Sequence, residues 1–157
     1  MLEGLHYQNA YVCDELEAGI DLFAAAGWKR TLSSFRSTRR SSRRGPKRQK
    51  GRICFIWIGD LQYELIENEI DEVGLYANCL SNGGPLRFHH ICFRVPDWAD
   101  FRSRVDAQEF PVAMERGLSA EAEGGLKFLY LDAREVFGHY IEYTWMPEPM
   151  WQHIRAM

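Results

Sequence analysis

The stretch from Leu86 to Trp98, LRFHHICFRVPDW, decides how the whole chain is read. Its first nine residues have the apolar and aromatic content of a buried strand. Pro96 and Asp97 then mark the start of a helix. Two adjacent histidines stand in the middle of the strand. Successive strand side chains point to opposite faces. Alternation therefore predicts that His90 faces one side together with Phe88, Cys92 and Arg94, and that His89 is packed behind the sheet. Downstream, PDWADFRSRVDAQ reads as a helix with Trp98, Phe101 and Val105 on one face. FPVAME, LKFLYLDA and GHYIEYTW read as three further strands.

Upstream, the same order appears once already. HYQNAYVC reads as a strand, and DELEAGIDLFAAAGW reads as a helix with Asp14 as its N-cap. Leu16, Ile20, Leu22 and Phe23 give that helix an apolar face. ICFIWIGDLQYELIE reads as two strands around a tight turn at Gly59 and Asp60. A repeated order calls for a test of internal repetition. Laying AYVCDELEAGIDLF under CFRVPDWADFRSRV sets Gln8 under His90, and laying QYELIE under YIEYTW sets Glu64 under Glu142. The offsets, 82 and 78, differ by a loop length. The expected organisation is a first module over 1–67, a linker loop over 68–86, a second module over 87–146 and a Pro-rich tail over 147–157.

The chain has 157 residues and a formal charge of −3, which hides an asymmetry. Eleven of its 19 Lys and Arg fall between Lys29 and Arg52 with no acid among them; the other eight face 22 acids elsewhere, a balance of −14. The basic stretch 36–52 has no hydrophobic alternation and no helical period, and is expected to be irregular and mobile. It lacks interleaved aromatics, which argues against nucleic-acid recognition. The first twenty residues carry acids and no apolar run, and no stretch is long enough to span a bilayer. The four cysteines have no CxxC spacing and are expected to be buried thiols in a reducing cytoplasm.

Gln8, Glu64, His90 and Glu142 all stand inside strands, where such residues gain nothing from burial. Any one of them alone reads as an edge or surface residue. Two pairs at matched places in two modules read as a ligand set. One imidazole, two carboxylates and one amide oxygen suit a divalent ion that keeps one or two waters. The two carboxylates balance its charge, which makes burial tolerable.

On these residues, and on QNAYVCDELEAGIDLF, YELIEN, HHICFRVPDW and GHYIEYTW, the chain resembles the vicinal oxygen chelate superfamily of glyoxalase I, methylmalonyl-CoA epimerase, extradiol dioxygenases and bleomycin-resistance proteins. The resemblance implies an α+β fold: two tandem βαβββ modules forming a curled mixed-sheet cup. It implies one divalent metal ion (Zn, Ni, Co, Mn or Fe) held by Gln8, Glu64, His90 and Glu142. It further implies a lyase or isomerase that removes a proton next to a carbonyl, with Glu142 or Glu64 as the base. A homodimer acting on a small-molecule substrate is expected. The alternative is a metal-free protein of the same fold that sequesters a small molecule. Ring cleavage fits less well, because the iron site of that branch uses two His and one Glu. The glutathione-binding Arg of glyoxalase I is replaced here by Val12, while Asn68 keeps a counterpart and Arg87 stands one place off register. Arg94 and Tyr140 share the ligand faces by alternation and, with Asn68, are candidate substrate-binding residues. Trp57, Tyr63, Tyr130 and Tyr143 are expected to be core for the most part.

Overall fold

The fold was read from a computed structural model, which describes residues 2–28, 34–40, 48–77, 79, 84–116 and 125–156, with 34–40 described by backbone only. Strand β1 (Leu5–Cys13) leads into helix α1 (Leu16–Ala25), followed by β2 (Ser34–Arg40), β3 (Arg48–Ile58) and β4 (Leu61–Asp71). The order repeats as β5 (Leu86–Arg94), α2 (Trp98–Val105), β6 (Val112–Arg116), β7 (Lys127–Asp132) and β8 (Tyr140–Trp145). A short helix α3 (Arg134–Phe137) sits between β7 and β8, and α4 (Glu148–Ala156) follows β8. The eight strands form one mixed sheet in the order β2-β3-β4-β1-β5-β8-β7-β6. Its centre is the antiparallel pair β1–β5, flanked by the parallel pairs β1–β4 and β5–β8.

The repeat seen in the sequence is a repeat in register. Gln8 pairs with Gln62 and Ala10 with Glu64; His90 pairs with Tyr140 and Cys92 with Glu142. Each position of the first module therefore has its counterpart at the predicted offset in the second. The outer face of the sheet carries the helices. Leu16 and Ile20 of α1 pack on Cys54, Ile56 and Leu65, while Trp98, Phe101 and Val105 of α2 pack on Leu129, Leu131, Ile141 and Tyr143. The inner face holds a second apolar set, including Phe128, Tyr130, Tyr140, Val12 and Ile66.

Several expectations are revised by the structure. The N-cap of α1 is Glu15 rather than Asp14, and no side chain of its own caps it. Glu67 of β4 instead accepts a hydrogen bond from the Leu16 amide at 2.7 Å, which frees Asp14 to pair with Arg87. Leu22 is exposed, so the apolar face of α1 is narrower than expected. The tail forms α4, because Pro149 falls in the first helical turn, where a missing N–H costs nothing. The basic stretch is not irregular where it is described: Ser34–Arg40 and Arg48–Ile58 are antiparallel strands, and 41–47 lie outside the described residues. The missing alternation has a physical reason. β2 is an edge strand, where charge replaces apolar pattern, and the cations of β3 meet acids across the sheet. Arg48 pairs with Glu72 at 2.9 Å, Lys50 with Glu69, and Arg52 with Glu17 and Glu67. Among the described residues, these three cations of the basic block are therefore paired with the acidic body. Among the described residues, no helix is long and apolar enough to cross a membrane, and all four cysteines are free.

Candidate metal centre

The β1–β5 register holds the answer to the adjacent histidines. Along this pair, His6 lies opposite Phe93 but Gln8 opposite Cys92, and Ala10 lies opposite His90 but Tyr11 opposite Phe88. Each shift marks one extra residue, Tyr7 on β1 and His89 on β5. These are β-bulges, and a bulge cancels alternation locally. Both histidines therefore face the inner side. Their Nδ1 atoms are 2.7 Å apart, and both side chains are almost fully buried. His89 does not pack behind the sheet as expected. The position it vacates is taken by Phe88, which was expected beside His90 and instead packs on Tyr11 and His139. The bulges stand at matching places, each one residue before a candidate ligand.

The structure brings Gln8, Glu64, His90 and Glu142 together. His90 Nε2 lies 2.9 Å from Glu142 Oε2 and 3.4 Å from Glu64 Oε2. It is also 3.4 Å from Gln8 Oε1. Donor atoms of Glu64, His90 and Glu142 all fall within 4.8 Å of one another, and none of the three residues is more than 6% exposed. Gln8 presents oxygen rather than nitrogen for a local reason: its Nε2 donates to Gln62 Oε1 at 2.6 Å. Ligands about 2.1 Å from a divalent ion lie about 3.0–3.5 Å apart on neighbouring corners of a tetrahedron or octahedron. The spacings around His90 Nε2 are of that size. Two carboxylates, one imidazole and one amide oxygen at such distances fit a divalent cation, and the two negative charges balance it.

The surroundings are polar only at chosen points. Tyr130 meets the His90 ring edge to face at 5.1 Å. Beside the cluster, the Cys92 thiol bonds the Tyr7 hydroxyl at 3.6 Å and the Thr144 hydroxyl at 3.7 Å, and Tyr7 and Thr144 bond each other at 3.2 Å. Burial, and then the charge of Glu142, push the Cys92 thiol well above its usual range. Cys92 therefore stays protonated and serves as a donor. Burial, followed by the neighbouring His90, pushes His89 down to about 3. His89 is thus neutral at physiological pH.

Of the three candidate substrate-binding residues, Asn68 and Arg94 have partners away from the cluster, while Tyr140 pairs with His90 in the β5–β8 register. Asn68 shares the inner face of β4 with Glu64, about 13 Å along the strand. It lines a small crevice with Gln49 and Tyr76, and its buried Oδ1 has no hydrogen-bond partner. Arg94 is engaged by α4: it pairs with Glu148 at 2.8 Å and stacks over Trp151 at 4.8 Å. Tyr140 packs against His89 and under the Arg134 guanidinium. Of the four aromatics, Tyr143 and Tyr63 belong to the outer face, Trp57 packs near Trp151, and only Tyr130 meets a cluster residue. The sequence reading missed the inward placement of His89 and the helix α4. The one signal for His89 was that two polar rings stood adjacent in an otherwise apolar strand.

No family model and no curated protein sequence matches the chain. Solved structures do. A methylmalonyl-CoA epimerase in complex with methylmalonyl-CoA and ammonium superposes with a TM-score of 0.58 at 16% identity, covering 92% of this chain and 96% of the other. The chain has the vicinal oxygen chelate fold. A hypothetical protein from Bacillus halodurans shares it, with a TM-score of 0.60 at 14% identity over 94% of this chain and 97% of that one. So does the methylmalonyl-CoA epimerase of Mycobacterium tuberculosis, with 0.56 at 12% identity over 97% and 96%. In this vicinal oxygen chelate fold the candidate cluster spans the β1–β5 junction, taking Gln8 and Glu64 from one module and His90 and Glu142 from the other.

Proposed function

We propose that the protein is a metal-dependent isomerase or lyase that removes a proton next to a carbonyl group of a small-molecule substrate. The observation that carries this reading is the buried cluster of Gln8, Glu64, His90 and Glu142, four donors converging from repeat-related positions. Buried carboxylates are costly unless a positive charge meets them. A bound divalent ion would supply charge opposite the enolate oxygen that develops as the proton leaves. Glu142 is the proposed base. It shares its module with His90, whose imidazole anchors that side of the cluster. Glu64 occupies the mirrored place and is the second proton carrier in this reading. The fold neighbours named as methylmalonyl-CoA epimerases support isomerisation over ring cleavage, as does the single histidine among the four converging donors.

The four cluster residues are almost fully buried. Trp151 of α4 packs on Tyr7 at 4.9 Å. The test is metal content and proton exchange. Wild type purified without chelators should hold one divalent ion per chain, and His90→Ala should hold less than a tenth of that. Metal-loaded wild type should exchange the α-proton of methylmalonyl-CoA with deuterated water. Wild type without stoichiometric metal, or a His90→Ala protein that keeps it, overturns the reading.

A further inference from the structure

We infer that His89 is a positioning residue that fixes the tautomer of His90, so that Nε2 of His90 is presented to Gln8, Glu64 and Glu142. This rests on the metal-site reading above. It follows from which atoms can donate. His89 Nε2 lies 3.0 Å from the Leu75 carbonyl oxygen, and a carbonyl only accepts. Nε2 of His89 therefore carries a hydrogen. Among the described residues no carboxylate bonds His89; its buried ring lies among those of Tyr76, Tyr130 and Tyr140, so it is held as the neutral imidazole. A neutral imidazole with Nε2–H has a bare Nδ1. The two Nδ1 atoms are 2.7 Å apart and must share a hydrogen, which His90 supplies. His90 thus donates from Nδ1, and its Nε2 is the nitrogen left to face the two carboxylates. A ligating histidine whose other nitrogen is engaged in this way is fixed in both ring orientation and tautomer.

The relay is anchored at its far end. The Asp71 carboxylate accepts from the backbone amides of Gly74, Leu75 and Tyr76 at 2.9, 3.1 and 2.8 Å. Three bonds to one side chain fix the direction of the Leu75 carbonyl. The connection between the modules therefore reaches the ligand through one ordered path: Asp71, Leu75, His89, His90. The bulge is what makes the path possible, since a regular strand would have put the two rings on opposite faces.

The experiment uses the full chain labelled with 15N-histidine and zinc as the probe. Long-range proton–nitrogen correlation spectra separate bare from protonated ring nitrogens. His89 should show a bare Nδ1 and a protonated Nε2, with His90 protonated at Nδ1. His89 protonated at Nδ1 overturns the inference. Zinc affinity, measured by competition with a chromophoric chelator, should fall about 10- to 100-fold in His89→Phe. It should stay within about threefold in His89→Gln, whose Oε1 can accept from His90 while its Nε2 donates to Leu75. Equal loss in both variants, or no loss in either, counts against a positioning role. If His89→Phe does not fold, the wild-type spectrum and His89→Gln still decide. Wild type that takes up no zinc defeats the proposed function, while its nitrogen spectrum continues to judge the relay.

Discussion

The two modules build the same half-site with different chemistry. In each, a bulge stands one residue before the candidate ligand, and a parallel neighbour strand supplies a glutamate at the matching register. In the first module the candidate ligand is an amide held by Gln62, and the bulge residue Tyr7 turns away to bond Thr144 of β8. In the second the candidate ligand is an imidazole, and the bulge residue His89 lies against it directly. An amide oxygen needs its nitrogen engaged elsewhere, which a residue on the adjacent strand can do. An imidazole needs an acceptor at Nδ1, which must lie beside the ring. The backbone symmetry is kept while the supporting partner follows the ligand's own requirement.

The largest expected break in this symmetry is catalytic. Glu142→Gln should keep its metal, because Gln retains an oxygen donor, yet slow α-proton exchange of methylmalonyl-CoA by about a hundredfold or more. Glu64→Gln should also keep metal but slow exchange by about tenfold. Proton exchange followed by NMR in deuterated water checks both. Equal losses would mean that the two carboxylates act as equivalents, and a wild-type rate in Glu142→Gln would remove it as the base.

A smaller effect tests the first module's support. In Gln62→Leu, the Gln8 amide loses the acceptor that orients it, and metal affinity should fall about tenfold. Stability should change by only about 1 kcal/mol. Gln62 makes a single bond to Gln8, and its own buried Nε2 has no partner to lose. Chelator competition and a denaturant melt on the same variant separate the two quantities. An affinity loss as large as that expected of His89→Phe would mean that the modules support their ligands equally.

How far the sequence carried the reading depends on what each feature obeys. The repeat, both main helices, the Gly59–Asp60 turn and the four converging residues were legible, because periodicity and matched spacing record them directly. The placement of His89 was not. A bulge adds a residue without changing composition, and its effect appears only in how β1 pairs with β5. Gly138, read in the sequence as the start of the strand GHYIEYTW, instead lies at a φ of 78°, a left-handed turn that ends α3. The strand Ser34–Arg40 was hidden because an edge strand held by its ladder needs no apolar alternation. Helix α4 was hidden because two prolines near its start read as punctuation, although a first turn tolerates them.

The smallest expected effect concerns the other bulge. Tyr7 is related to His89 by the repeat and shares its backbone device, so a simple symmetry would give it the same duty. Its hydroxyl points elsewhere, to Thr144 Oγ1 and to the Cys92 thiol, and its ring packs on Trp151. Those contacts join β1 to β8 and α4 without reaching Gln8. Tyr7→Phe keeps the ring and removes only the hydroxyl. It leaves Cys92 still able to donate to Thr144 Oγ1 at 3.7 Å, so the loss is confined to the bonds of one hydroxyl. The variant should lose about 1 kcal/mol of stability in a denaturant melt and hold metal within about twofold of wild type. A tenfold fall in metal affinity would show that the first bulge also supports a ligand, and the two modules would then differ less than their side chains imply.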